Sequence, residues 1–194
     1  DHVQTIHLTL SEANLKKMHD ALPERIYVPG TFRWRDVRLE NVGVRYKGNS
    51  SSRPSQRHKR SFLIKVNEFK KGMRFLGLRR VALDNGVQFG SLFSEPVVTD
   101  ILRELGVPAS RFNYVKLFLN GKYIGVYGNV ERIDESFIES RFSGKEGPLF
   151  KVQTLGPGVT LSHVGDDAEQ YKKGFEAKTE AGDKGYDKLI ALIR

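Results

Sequence analysis

The sequence predicts an α+β protein, an antiparallel sheet with covering helices. Three features carry that reading. Apolar residues alternate over several short stretches, which is the period of half-buried strands. An Asn120–Gly121 pair separates two of these stretches and marks a type I′ hairpin. Between the strands stand a few 3.6-periodic segments with helix-starting residues in front of them. At 194 residues, 39% apolar and 28% charged, the chain is long enough to bury a sizeable core and too apolar to be disordered.

The first strand has Ile6, Leu8 and Leu10 on one side. Ser11 then caps a short helix whose Leu15, Met18 and Leu22 share a face and which Pro23 stops. Pro29–Gly30 marks a turn, and two antiparallel strands follow. One carries Phe32 and Trp34, then Val37 and Leu39, with a phase change that reads as a bulge; the other carries Val42, Val44 and Tyr46. Residues 48–58, GNSSSRPSQRH, form a polar loop. It leads into a strand with Phe62, Ile64 and Val66 on one side, and Arg80–Leu83 forms another. Ser94 and Pro96 announce a helix with apolar Val97, Val98, Ile101, Leu102 and Leu105, closed by Gly106 and Pro108.

The strongest local signal comes next: strand Tyr114–Leu119, the Asn-Gly turn, and strand Tyr123–Val130. Asp134 caps a short helix through Phe142, and Leu149–Val152 is a further strand. From Thr154 the texture changes. Gly156, Pro157 and Gly158 break the pattern, and short charged helical stretches follow near Asp167–Gly174 and Asp183–Ile193. One region is therefore expected over 1–153, and the start of a helical region over 154–194. Leu189, Ile190, Leu192 and Ile193 give the last helix an apolar face, which either closes the core of the first region or meets a partner beyond Arg194.

The net charge of +9 is unevenly placed. Residues 45–80 hold twelve Lys and Arg against one acid, Glu68, and that local excess of +11 expects an anionic partner or a solvated cationic face. With no cysteine, disulfides, thiolate metal sites and a cysteine nucleophile are excluded. The five histidines are scattered without ligand spacing, so no zinc or other metal site is identified within 1–194. No run nears the roughly 18 apolar residues of a membrane span, and the opening DHVQTIHLTL lacks the basic and apolar regions of a signal peptide. Phe32, Trp34 and Tyr46 lie beside basic residues, as in single-strand nucleic-acid binders, but their strand spacing favours packing and makes nucleic acid the least favoured partner.

Chemistry is expected first at the loop Gly48–Arg53 and the strand start bearing Lys59 and Arg60. Gly and Ser let backbone N–H groups converge on a phosphate, and a lysine supplies a mobile positive charge to its oxygens. GxxxxGK[ST], GxGxxG and GxSxG are all absent, and by itself this stretch describes an ordinary hairpin loop as well as a phosphate cradle. Glu131, in NVERID, reads either as an acid that holds a phosphate-binding lysine or as an edge charge. Asp84 and Asn85 read as Mg²⁺ ligands or as an Asx turn, the turn being preferred.

An ordered series of segments resembles the spore coat protein H (CotH) family of atypical kinases: VRYKGNSSS, HKRSFLIKV, RRVALDN, ILRELGVPASRFNYVKLFLNGKYIGVYGNVERIDESFIESRF and GPLFK, over roughly Val42 to Lys151. The resemblance implies an atypical protein-kinase-like fold whose nucleotide-binding region is 1–153. It implies ATP-dependent phosphoryl transfer to Ser or Thr of protein substrates, with ATP and Mg²⁺ or Mn²⁺ as cofactors. It also implies an exported protein, at the cell surface or in the spore coat. Carried over by position, Lys59 contacts the nucleotide phosphates, with Arg60 as its rival, and Gly48, Asn49 and Ser50 lie beside them. Glu131 orients the lysine or approaches the metal and is the candidate catalytic residue, while Tyr127 or Val130 borders the base. The family's metal-binding and catalytic aspartates are expected on a segment beyond Arg194, so that this chain alone is expected to be inactive. VALDNGVQF also lacks the family's aromatic residue ahead of the aspartate. The alternative is a noncatalytic cell-surface or coat-assembly module that binds an anionic partner through residues 45–80.

Overall fold

A computed structural model describes residues 3–48, 52–57, 59–87, 91–142, 147–153, 159–179 and 184–194. Its contacts divide the chain into two units, residues 1–132 and 133–194. That division falls earlier than the 153/154 boundary expected from texture, because the strand at Phe150–Val152 pairs with a later one at Phe175–Ala177.

The first unit holds β1 (Gln4–Thr9), α1 (Glu12–Asp20), β2 (Val28–Trp34), β3 (Val37–Lys47), β4 (Ser61–Lys65), β5 (Arg80–Asp84), α2 (Ser94–Glu104), β6 (Phe112–Leu119) and β7 (Lys122–Val130). The fold is α+β and the pairing mostly antiparallel. The expected antiparallel sheet with covering helices closes into a barrel in the order β1-β2-β3-β4-β5-β7-β6. Closure comes from β1, which pairs antiparallel with β2 on one side and parallel with β6 on the other. Ile6, Leu8, Phe32, Val42, Val44, Phe62, Ile64, Leu83, Val115, Leu117 and Tyr127 fill the interior, and Met18 of α1 joins the same core.

Two local expectations change with closure. Pro29–Gly30 is no turn; both residues lie inside β2, paired with Gly43 and Val42. A side chain at Gly30 would come within 2.6 Å of Leu10, so the glycine serves close packing. The phase change after Trp34 is a hairpin: Trp34 pairs with Val37 and Phe32 with Leu39, around Arg35 at φ 50°. The bulge sits further along, where Asn41 (φ 55°) lies between the Phe32–Leu39 and Gly30–Val42 pairs. The turn at Asn120 (φ 50°) and Gly121 (φ 80°) forms as expected.

The second unit holds α3 (Glu135–Arg141), capped by Asp134, then β8 (Phe150–Val152), a 3-10 turn at Ala168–Gln170, β9 (Phe175–Ala177) and α4 (Tyr186–Ile193). The first of the two expected helical stretches is thus one 3-10 turn running into a strand. Leu189 and Ile190 of α4 pack on Tyr171, Phe175 and Tyr186. The helix thereby closes a small core of its own unit, with Leu192 of its apolar face left exposed.

Candidate functional site

The expected site residues that are described gather where β4 begins and β5 ends. Tyr46, Phe62 and Leu83 belong to the barrel core, so the next residues in register turn outward. Lys47 pairs with Ser61, and the Phe62–Leu83 pair sets Asp84 beside Ser61. Serine is small enough for Lys47 to reach across it, and its ammonium meets the Asp84 carboxylate at 2.6 Å.

Asp84 and Asn85 then fasten this end of the sheet. Asp84 accepts from the Gly86 amide at 3.0 Å and Asn85 from the Val87 amide at 3.1 Å, so the preferred Asx-turn reading describes both. The Asn85 side chain also donates to the Lys59 carbonyl at 2.6 Å, and its backbone amide to the Ser61 hydroxyl at 2.9 Å. Asn85 is buried and thereby fixes the backbone from which the Lys59 side chain leaves.

The pairing of β5 with β7 ends at Asp84–Gly128. The Lys59 ammonium donates to the Val126 carbonyl, two residues further along β7, at 2.5 Å. It also lies 4.5 Å from the centre of the Tyr127 ring. β7 bulges here, between the Leu117–Gly125 and Phe118–Tyr123 pairs, and Gly125 (φ 121°) borders the lysine, where an added Cβ would lie 3.5 Å from its nitrogen. Among the described residues no carboxylate stands at salt-bridge distance from Lys59. Its pKa is lowered by partial burial, against which the Asp84 charge works in the opposite direction. Glu95, at the start of α2, is pushed upward by burial and by Asp84, with Lys47 opposing.

Arg60, the rival cation, has a different role. It is buried, its guanidinium donates to the carbonyls of Arg53 (3.1 Å), Pro54 (3.5 Å) and Gln56 (3.0 Å), and it lies over the Tyr46 ring. It clamps the loop. The Ser52 hydroxyl in that loop is buried with no hydrogen-bond partner among the described residues. Gly48 has φ 89° at the loop's start; Asn49 and Ser50 lie outside the described residues.

Two expectations are corrected. Tyr127 is fully buried in the barrel and donates to the Arg60 carbonyl at 3.1 Å, so it supports both cations and has no face left for a base. Among the described residues, Glu131 does not stand at salt-bridge distance from Lys59. Its amide extends the β6–β7 ladder to Arg111, and its carboxylate accepts from the Arg111 amide (2.9 Å) and guanidinium (2.8 Å). Lys59 touches β7 five residues earlier, and its acidic neighbour is Asp84. Sequence reading missed the Lys47–Asp84 pair; the signal was register, since Val44, Ile64 and Val81 lie in one row across three strands.

The basic segment is divided among several tasks. Arg45 lies over Tyr27, Lys65 binds Glu68 at 2.6 Å, Arg60 is buried, and Lys70, Lys71 and Arg74 are exposed on the β4–β5 connection. Among the described residues no group of three or more His, Asp or Glu converges as a metal site, and no helix is long and apolar enough to cross a membrane.

Among the described residues, the Lys59 end of the closed barrel thus brings together a partly buried lysine with no carboxylate at salt-bridge distance and a loop held by Arg60. Residues 44–194 match the model of the CotH kinase protein family, and the chain belongs to that family. The match begins in β3 and takes in Lys47, Lys59, Asp84, Asn85 and Glu131. No curated protein matches the chain.

Proposed function

We propose that the barrel mouth binds the phosphates of ATP and that the protein is an ATP-dependent Ser/Thr phosphotransferase with a kinase-like nucleotide-binding region. Lys59 carries the reading. Its ammonium is partly desolvated and lacks a carboxylate partner, so an incoming phosphate oxygen supplies the missing counter-charge. The loop that Arg60 clamps leads into Lys59 and would supply backbone N–H donors beside it. Lys47 adds a second positive charge, tied to Asp84.

These residues fit a polyphosphate. When bound, ATP would supply the γ-phosphoryl group for a Ser or Thr hydroxyl of a protein substrate. The residues described here do not fit a Mg²⁺ or Mn²⁺ centre of their own: Asp84 spends one oxygen on Lys47 and the other on the Gly86 amide. The metal, the protein substrate and a place outside the cell or in the spore coat rest on family membership alone. The experiment is transfer of label from γ-labelled ATP to a Ser/Thr acceptor by the gene product. Transfer that Lys59→Ala abolishes supports the reading; a protein that neither binds ATP nor labels any acceptor overturns it.

A further inference from the structure

The end of the barrel opposite Lys59 is built differently. Lys47, Ser61 and Asp84 mark the Lys59 end, so the Lys65–Arg80 pair and the connection that follows Lys65 lie at the other. Residues 66–79 form an arm there. Phe75 fixes it to the barrel, its ring 4.8 Å from Phe32 and 5.6 Å from Trp34 of the β2–β3 hairpin. Phe75 and Leu78 then exchange two backbone hydrogen bonds, 2.9 and 2.8 Å, around a two-residue turn of Leu76 and Gly77.

Leu76 is unusual at that turn. Its φ is 49°, in the left-handed region, where Asn and Gly are the favoured residues and leucine is strained. It is 71% exposed, and Phe69 on the same arm is 50% exposed. Neither the turn nor the core explains these two apolar side chains. Around them Lys70, Lys71 and Arg74 are exposed, and among the described residues none has an acidic partner. The arm's single acid, Glu68, is held by Lys65. Arg35, stacked 4.5 Å from the Trp34 ring, adds a cation from the adjoining hairpin, with Asp36 as the hairpin's opposing charge.

We infer that this arm docks on an anionic lipid bilayer. Lys70, Lys71 and Arg74 meet the headgroups, and Phe69 and Leu76 enter the boundary between headgroups and acyl chains. Charge complementarity selects an anionic surface. The exposed leucine and phenylalanine select a bilayer over a dissolved polyanion, which has no apolar layer to receive them. Docked this way, the barrel points its Lys59 mouth away from the membrane. The inference does not depend on the proposed phosphotransferase activity.

Vesicle flotation tests it, with phosphatidylcholine alone and with phosphatidylserine added. The wild-type protein floats only with vesicles containing phosphatidylserine, and less so as salt rises. Leu76→Asn keeps a residue suited to the left-handed turn, so melting temperature is retained while vesicle affinity falls by about tenfold. Replacing Lys70 and Lys71 together by Glu weakens binding by ~25-fold or more. Failure of the wild type to float, or equal flotation without phosphatidylserine, overturns the proposal. So does full flotation by Leu76→Asn and Phe69→Ser, since cations alone would then explain the binding and a soluble polyphosphate would compete for it equally.

Discussion

Lys59 and Arg60 are adjacent cations with opposite fates, and the difference lies in what each touches. Arg60 spends donors on three carbonyls of its own loop, whereas Lys59 meets one carbonyl and a ring and, among the described residues, has no carboxylate at salt-bridge distance. Arg60→Gln should therefore lower stability by ~2–3 kcal/mol and release the loop, as measured by thermal melting. Lys59 should control binding. Phosphate binding needs the ammonium form, and burial places the lysine pKa below 10.5. ATP affinity should then fall as pH rises, at a lower pH than for an ordinary lysine. Lys59→Arg, which stays charged, should lose that alkaline decline. An affinity independent of pH in the wild type would exclude Lys59 as the receptor.

At the scale of elements, the Asn120–Gly121 hairpin does more than turn the chain. The Asn120 side chain accepts from the Leu10 amide and donates to the Leu10 carbonyl, both at 2.8 Å, and its own amide bonds to the Leu8 carbonyl. It extends the β1–β6 ladder past the end of β6 and so fastens the barrel seam. Asn120→Ala leaves both polar groups of Leu10, a buried residue, without partners, and alanine strains at φ 50°. Stability should drop by ~2–3 kcal/mol, a fall in melting temperature of about 5–10 °C, read by calorimetry or circular dichroism. An unchanged melting temperature would show that the seam does not need the asparagine. The turn was legible in the sequence because Asn-Gly has a fixed backbone preference. Its second task was not, because it depends on a strand 110 residues away.

Other elements divide the same way. The strand β1, whose burial alternates, and caps such as Ser11 and Asp134 were readable because their causes are local. Pro29–Gly30 misled because a glycine wanted for close packing looks like one wanted for a turn. Barrel closure was invisible because the parallel β1–β6 pairing carries no signature in either strand. The same limit governed the candidate site. Lys59 was proposed through motif order, but Lys47–Asp84 and the Asn85 tie required the register, and the Glu131–Arg111 pair, formed across a hairpin, was not foreseen.

For the whole molecule, the charge excess of residues 45–80 resolves into separate tasks: two lysines at the mouth, an arginine holding the loop, and exposed cations at the far end of the barrel. The most direct test of the proposed phosphate site is isothermal calorimetry with ATP on the wild-type protein and on Lys59→Ala. Saturable binding by the wild type and a loss of roughly 10- to 100-fold in the variant, at an unchanged melting temperature, is the predicted result. Equal affinity in the two proteins would contradict the assignment of the barrel mouth as the phosphate site.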